Sequence, residues 1–209
     1  MFSSIRLLLV LPALLALPLA TGASQSPRQR SLILVPTAGY LSFGDYFTGP
    51  GGVRFSNQNG IGYGAQLSYR LRKNLSLVGS VLHGTSDWSF DEVPLLGRVT
   101  VDGASLWFFD AGLRLQVPLG SSPVSAFGQA SAGAIRYAIN NPLLTGHATN
   151  FTWSGAVGLM TQLGDRLSLQ GQLKDYVASF RSVDQASTFG VEGRRAHTLA
   201  LLIGVGVGL

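Results

Sequence analysis

One pattern constrains this chain more than any other: apolar residues alternate with small or polar ones at a period of two, again and again. In 60–71, Ile61, Tyr63, Ala65, Leu67, Tyr69 and Leu71 share one face, and Gly62, Gly64, Gln66, Ser68 and Arg70 share the other. In 99–117, Trp107, Phe109, Ala111, Leu113, Leu115 and Val117 oppose Asp102, Ala104, Asp110, Gly112, Arg114 and Gln116. Phe151, Trp153, Val157, Leu159 and Leu163 oppose Thr152, Ser154, Gly158 and Gln162. The last residues repeat the split, with Leu199, Leu201, Ile203, Val205, Val207 and Leu209 against Thr198, Ala200, Gly204, Gly206 and Gly208. Side chains on an extended chain point alternately to opposite sides, so each run reads as a strand with two unlike faces. Four less regular runs, 31–43, 75–86, 124–139 and 167–180, bring the expected strands to eight.

The connections carry a second regularity. Long stretches at 44–59, 87–98, 140–149 and 181–194 alternate with tight turns at 72–74, 120–123 and 164–166. An even number of antiparallel strands with short turns at one end and long loops at the other is the pattern of a membrane-spanning barrel. The expected fold is therefore all-β: an eight-stranded antiparallel up-and-down transmembrane β-barrel over 31–209, with both termini on the periplasmic side.

Composition decides which face meets lipid. Only 12% of residues are charged, about half the usual share, while the hydrophobic fraction is an ordinary 46%. A soluble barrel would carry many Lys and Glu outside, but the two glutamates, Glu92 and Glu192, both fall in connections. The apolar face is therefore assigned to lipid, and the face of Gly, Ser, Ala, Thr and Gln to a narrow lumen. Aromatic residues test this assignment. Tyr63, Trp107 with Phe109, and Phe151 with Trp153 fall near the starts of descending strands, and Tyr40, Phe43, Trp88, Tyr137 and Phe180 near the ends of ascending ones. Together they predict an aromatic belt at the outer interface.

The first residues read as an export signal. Arg6 precedes an apolar run from Leu7 to Leu19, and Thr21, Gly22 and Ala23 offer small residues for cleavage. The expectation is a cleaved segment at 1–23, a short periplasmic segment at 24–30, and no lipid anchor, because the chain has no cysteine. Zero cysteines also remove disulfides and thiolate metal sites from consideration. Basic residues are scattered rather than clustered, so nucleic acid is not expected as a partner. No cofactor or metal is expected. The glycines of 60–64 lack the strand–turn–helix setting of a dinucleotide loop, and the acceptor patterns at Asn74 and Asn150 are read as coincidental.

With these residues in view, the chain resembles the small outer-membrane β-barrel proteins of the OmpA, OmpX and opacity type. The resemblance runs from about Ser31 to Leu209 and is carried by the architecture and by the strand at 197–209. It implies that this strand, with Leu199, Leu201, Ile203, Val205, Val207 and Leu209, is presented to the barrel-assembly machinery. Family members characteristically end on an aromatic residue, where this chain ends on Leu209.

The expected lumen charges are Arg70, Asp110, Arg114 and Lys174, with Asp102 higher up. Inside a barrel they need partners, because an unpaired buried charge is costly. Asp110 and Arg114 lie on one strand, too far apart to touch, so each is expected to meet a charge on another strand. Asp175 falls on the lipid face. The favoured role is structural or surface-binding, through four extracellular loops whose Arg54, Arg98, Arg181, Arg194 and Arg195 suit lipopolysaccharide phosphates. The alternatives are a narrow diffusion pore and a lipid A-modifying hydrolase. The second alternative would draw on His83 with Ser86 and Asp87, or on His147 with Thr149, while His197 at the outer rim is read as an interfacial residue.

Overall fold

A computed structural model describes residues 31–48, 54–93, 97–141, 144–179, 192–193 and 195–209. The segments expected as export signal and periplasmic extension lie outside them. The described residues form strands β1 (Leu32–Phe43), β2 (Asp45–Thr48), β3 (Arg54–Asn57), β4 (Gly60–Arg72), β5 (Leu75–Val93), β6 (Gly97–Pro118), β7 (Val124–Asn141), β8 (Leu144–Gln162), β9 (Leu167–Ser179), β10 (Glu192–Gly193) and β11 (Arg195–Gly208). Eight of these, β1, β4 to β9 and β11, pair with their neighbours antiparallel and close through β1 and β11 into a barrel.

The register fixes the barrel's shape. Starting at Leu32, successive cross-strand partners are Tyr69, Leu77, Leu113, Ala130, Gly155, Asp175 and Leu199, and the path returns to β1 at Ser42. It returns ten residues beyond its start. Eight strands with that stagger tilt by about 40° from the barrel axis, given a rise of about 3.3 Å per residue and about 4.8 Å between strands. From Leu199 to Leu209 the lipid-facing side of β11 then spans about 25 Å of height, the thickness of the apolar band of a membrane barrel.

The alternation read from the sequence sorts onto the two sides of this wall. Tyr63, Leu67, Leu71, Leu113, Leu159, Leu201, Ile203 and Leu209 are exposed on the outside, while Gln66, Ser68, Ser131, Ser154 and Gln170 are buried inside. Tight turns close the end that holds Leu32 and Leu209. β4 and β5 are joined by Lys73 and Asn74 alone. Between β6 and β7, Leu119 N donates to Val124 O at 3.0 Å, and Gly120 takes a φ of 63°, the left-handed region that favours glycine.

The opposite end differs from the expectation. In three of the four stretches read as long loops, the described residues are largely strand. β2 pairs β3, β3 pairs β5, β10 pairs β2, β5 and β6 stay paired out to Val93 and Gly97, and β7 pairs β8 out to Asn141 and Leu144. Two neighbouring strands leaving the membrane can keep satisfying their backbone groups on each other, so the wall continues outward despite its Gly- and Asn-rich sequence. The barrel strands β1 and β4 are prolonged in this way by β2 and β3. Most of the fourth stretch, 181–194, lies outside the described residues.

Candidate functional site

The interior of the barrel is filled in layers. Toward the tight-turn end sits Arg114 of β6, fully buried. Its Nε donates to Gln129 Oε1 at 3.3 Å, one terminal nitrogen to Gln170 Oε1 at 3.1 Å, and the other to Gln66 Oε1 at 2.8 Å and Gln129 Oε1 at 3.1 Å. The amides also bond to one another: Gln66 Nε2 donates to Gln129 Oε1, and Gln170 Nε2 to Gln66 Oε1. The guanidinium lies 3.9 Å over the ring of Phe127, a favourable cation–π contact. Phe127 fits because its neighbour Gly158 has no side chain, and a Cβ there would run into the ring. Arg114 therefore does not meet a charge on another strand, as the sequence led us to expect. A planar group with five donors is matched here by amide carbonyls converging from β4, β7 and β9.

One layer further along, Lys174 of β9 and Asp110 of β6 do meet. Lys174 Nζ lies 2.8 Å from Asp110 Oδ1 and 2.7 Å from Oδ2. Ser80 Oγ donates to Asp110 Oδ2 at 2.7 Å and accepts from Lys174 at 3.0 Å. The Lys174 ammonium also sits 4.8 Å over the Tyr176 ring. Lys174 Nζ and both carboxylate oxygens of Asp110 are thus each engaged, the condition for burying a charge at tolerable cost.

Above the ion pair the lumen is mainly apolar, with Thr152, Thr198 and Ser86 as buried polar members of the inner face. Leu41, Leu82, Leu106, Phe108, Ile135, Tyr137, Tyr176 and Leu202 form a buried cluster together with Ala178, Ala196 and Ala200. Phe108 and Tyr176 pack ring to ring at 4.7 Å. Space for Leu41 comes from Gly62 and Gly84, where any Cβ would collide with its tip. The sequence carries a signal for this plug. Leu106 and Phe108 share the face of Asp102, Asp110 and Arg114, so that face is apolar as well as charged. Phe43 and Tyr137 also line the lumen, where the aromatic pattern placed them in the outer belt. Their positions in the alternation, two residues from inward-facing Leu41 and Ile135, outweigh their location near a strand end.

Arg70 lies on the inner face near the tight-turn end, half-buried. Asp102 lies within β6, but its side chain is outside the described residues. The belt residues Tyr63, Trp107, Phe109, Phe151 and Trp153 are all exposed on the outer wall. Trp107 stacks on Phe109, and Phe151 meets Trp153 edge-on. On β11, Leu199, Leu201, Ile203, Val205, Val207 and Leu209 all face outward. Trp88 lies in β5 with its side chain outside the described set, as Phe180 is altogether.

The histidines sit apart. His83 is sandwiched between Tyr63 and Trp107 on the outer wall, with Nε2 3.0 Å from Ser105 Oγ. Ser86 is buried inside and donates to Gln58 O; it lies on the opposite face from His83 because the two positions differ by three, an odd offset along a strand. His197 Nδ1 lies 2.9 Å from Asp175 Oδ2, also on the outer wall. The imidazole satisfies one carboxylate oxygen at the upper edge of the apolar band, which relieves the cost expected for Asp175 there. His83 with Ser105 and His197 with Asp175 are on different sides of the barrel and form no common set. His147 lies in β8, its side chain outside the described residues.

A closed eight-stranded barrel with an apolar outer band, a belt of aromatic residues and a filled interior defines an outer-membrane β-barrel protein. The family model for the outer membrane protein beta-barrel domain matches residues 9–206, and the chain belongs to that family. Among solved structures, Neisserial surface protein A superposes with a TM-score of 0.60 at 13% identity, covering 86% of this chain and 97% of that one. OprG of Pseudomonas aeruginosa gives 0.55 at 13% identity, with 86% and 96% covered. AlkL, solved in lipid bilayers, gives 0.53 at 14% identity, with 89% and 93% covered. At these identities the likeness is one of fold. No curated protein matches the chain. The tight-turn end is accordingly the periplasmic end and the extended end the extracellular one.

Proposed function

We propose that this protein is a non-conducting outer-membrane barrel that acts as a structural element and as a surface for binding at its extracellular end. The observation carrying this reading is the filled lumen: an apolar plug from Leu41 to Tyr176 lies directly above the Lys174–Asp110 pair and the Arg114–glutamine layer. An ion crossing it would have to shed its water among mainly aliphatic and aromatic side chains, with only a few hydroxyls such as those of Thr152 and Thr198 in exchange. Binding then falls to the extracellular wall and loops, the variable part of a rigid scaffold. Its arginines, Arg54, Arg98, Arg181, Arg194 and Arg195, suit the phosphates of lipopolysaccharide. Strand β11, which seals the barrel against β1, is the segment offered to the assembly machinery.

Two measurements test this. Reconstituted into planar bilayers, the protein gives no single-channel current, whereas steady open-channel current would refute a filled lumen. Lipopolysaccharide co-purified with the protein, quantified by mass spectrometry, falls when the five arginines are changed together to glutamine. Equal amounts with both proteins would remove lipopolysaccharide as a partner.

A further inference from the structure

We propose that the lipid-facing wall along β7 is a binding site for one phosphate and one acyl chain of an outer-leaflet lipopolysaccharide, with Arg136 as the phosphate ligand. Ile135 and Tyr137 point inward, so Arg136 between them points out, and it is exposed there. Among residues whose side chains are described, no other arginine or lysine lies on the outer wall at the extracellular end. Among the described residues no hydrogen bond or ion pair holds it. Register sets its depth. Arg136 lies six residues beyond Ala130 on β7, and the row from Ala130 passes through Gly155 and Asp175 to Leu199. With the barrel's tilt, Arg136 stands about 5 Å above Leu199, which marks the upper edge of the apolar band. A guanidinium at that height meets the phosphate layer, and its planar fork matches a phosphate bidentately. Thr149, across from it on β8 and also exposed, adds a hydroxyl donor.

Below Arg136 the wall falls into a cleft between two aromatic ridges. Phe109 of β6 lies across from Ala134 on one side, and Phe151 of β8 on the other. Trp107 stacks on Phe109, and Trp153 meets Phe151 edge-on, so each ridge is two rings long. The floor between them is the outward face of β7, which offers only methyl groups at Ala134, Ala132 and Ala130. The ridges stand on strands about 10 Å apart, which admits one hydrocarbon chain between the rings and not two. From Arg136 to Ala130 the cleft descends about 15 Å, more than half of an apolar band about 25 Å tall, and so one leaflet deep. Charge and shape fall in the order a lipid presents them, an anion above and a chain below. A second copy of this chain fits less well. Among described side chains its outer wall carries one carboxylate, Asp175, and His197 already engages it. The cleft is separate from the loop arginines, yet it rests on the same reading of lipopolysaccharide as a partner.

The test is native mass spectrometry of the full chain extracted from outer membranes in mild detergent, counting the lipopolysaccharide molecules retained per barrel. Wild type is expected to keep at least one through detergent exchange. Arg136→Gln lowers the fraction of barrels that keep it about threefold or more, and Arg136→Lys keeps more than Arg136→Gln does. Ala132→Leu leaves the charge in place but fills the cleft, and lowers the fraction by a similar factor. All three substitutions point into lipid, and heat-modifiable migration on gels shows that each barrel is folded. The variant with the five loop arginines changed to glutamine still keeps the molecule held in the cleft. Retention unchanged in Arg136→Gln or in Ala132→Leu would overturn the site, as would phospholipid retained in place of lipopolysaccharide. Loss in the five-arginine variant alone would sink the cleft and leave the loops as the lipid's partner. Loss in Arg136→Gln alone would support the cleft and remove the loops.

Discussion

Lys174 on β9 reaches across the lumen to Asp110 on β6 at 2.7 Å, with side chains only 1% and 0% exposed. The pair ties together strands that share no backbone hydrogen bonds. Removing either partner strands the other as a bare charge at the centre of a narrow barrel. Asp110→Leu and Lys174→Met are each expected to cost about 3–5 kcal/mol. The double variant Asp110→Leu/Lys174→Met is expected to recover most of that loss, because no charge is then left behind. Urea unfolding in lipid, followed by tryptophan fluorescence, measures all three. A double variant as unstable as the sum of the singles would show that the pair is not coupled.

Leu41 occupies space left by two glycines, and that fit predicts a reciprocal effect. Gly84→Val drives a side chain into the tip of Leu41, at an expected cost of about 1–3 kcal/mol. Leu41→Ala alone loses packing, at about 2–5 kcal/mol. Combined, the two changes are expected to cost clearly less than their sum, since the valine enters the space that the leucine vacates. Additive losses would mean that the two positions do not share that space.

The apolar plug itself makes a prediction about conduction. Replacing Leu41, Leu82 and Phe108 together by serine hydrates the upper lumen while leaving the lipid face untouched. The barrel still folds, shown by its heat-modifiable migration on gels, and now passes measurable current where wild type passes none. A folded but silent triple variant would place the barrier in the Arg114 and Lys174 layers instead.

The wall was far more legible in the sequence than its contents. Period-two alternation is a local signal: Ile61 to Leu71, or Leu199 to Leu209, each announce a face without reference to any other strand. Spacing of turns and connections then orders the strands. What fills the lumen is a matter of partners, and those are set by register. Gln66, Gln129 and Gln170 lie on three strands and read as unremarkable polar residues in sequence, yet a ten-residue stagger brings all three to Arg114. Lys174 and Asp110 were recognisable as needing partners, but only the closed barrel makes them partners of each other. Phe43 and Tyr137 line the lumen because their place in the alternation, not their location near a strand end, decides which way they face. The outer connections were read as loops because composition cannot distinguish a glycine-rich loop from two strands that go on pairing beyond the membrane.

Depth in the bilayer supplies the last prediction. Ile203 faces lipid near the middle of the outward run of β11, whereas Leu199 lies at its upper edge, beside the level of Asp175 and His197. An arginine at the midplane finds no water within easy reach, while one at the edge extends its guanidinium into the headgroups. Ile203→Arg is therefore expected to destabilise the folded barrel by about 2–4 kcal/mol, and Leu199→Arg by about 0–1 kcal/mol. Reversible folding into bilayers of defined thickness reads both values. In thinner bilayers the penalty at Ile203 shrinks, because the interface moves toward it. Equal penalties at the two positions, or a larger one at Leu199, would mean that the apolar band is not centred where the tilt and register of β11 place it.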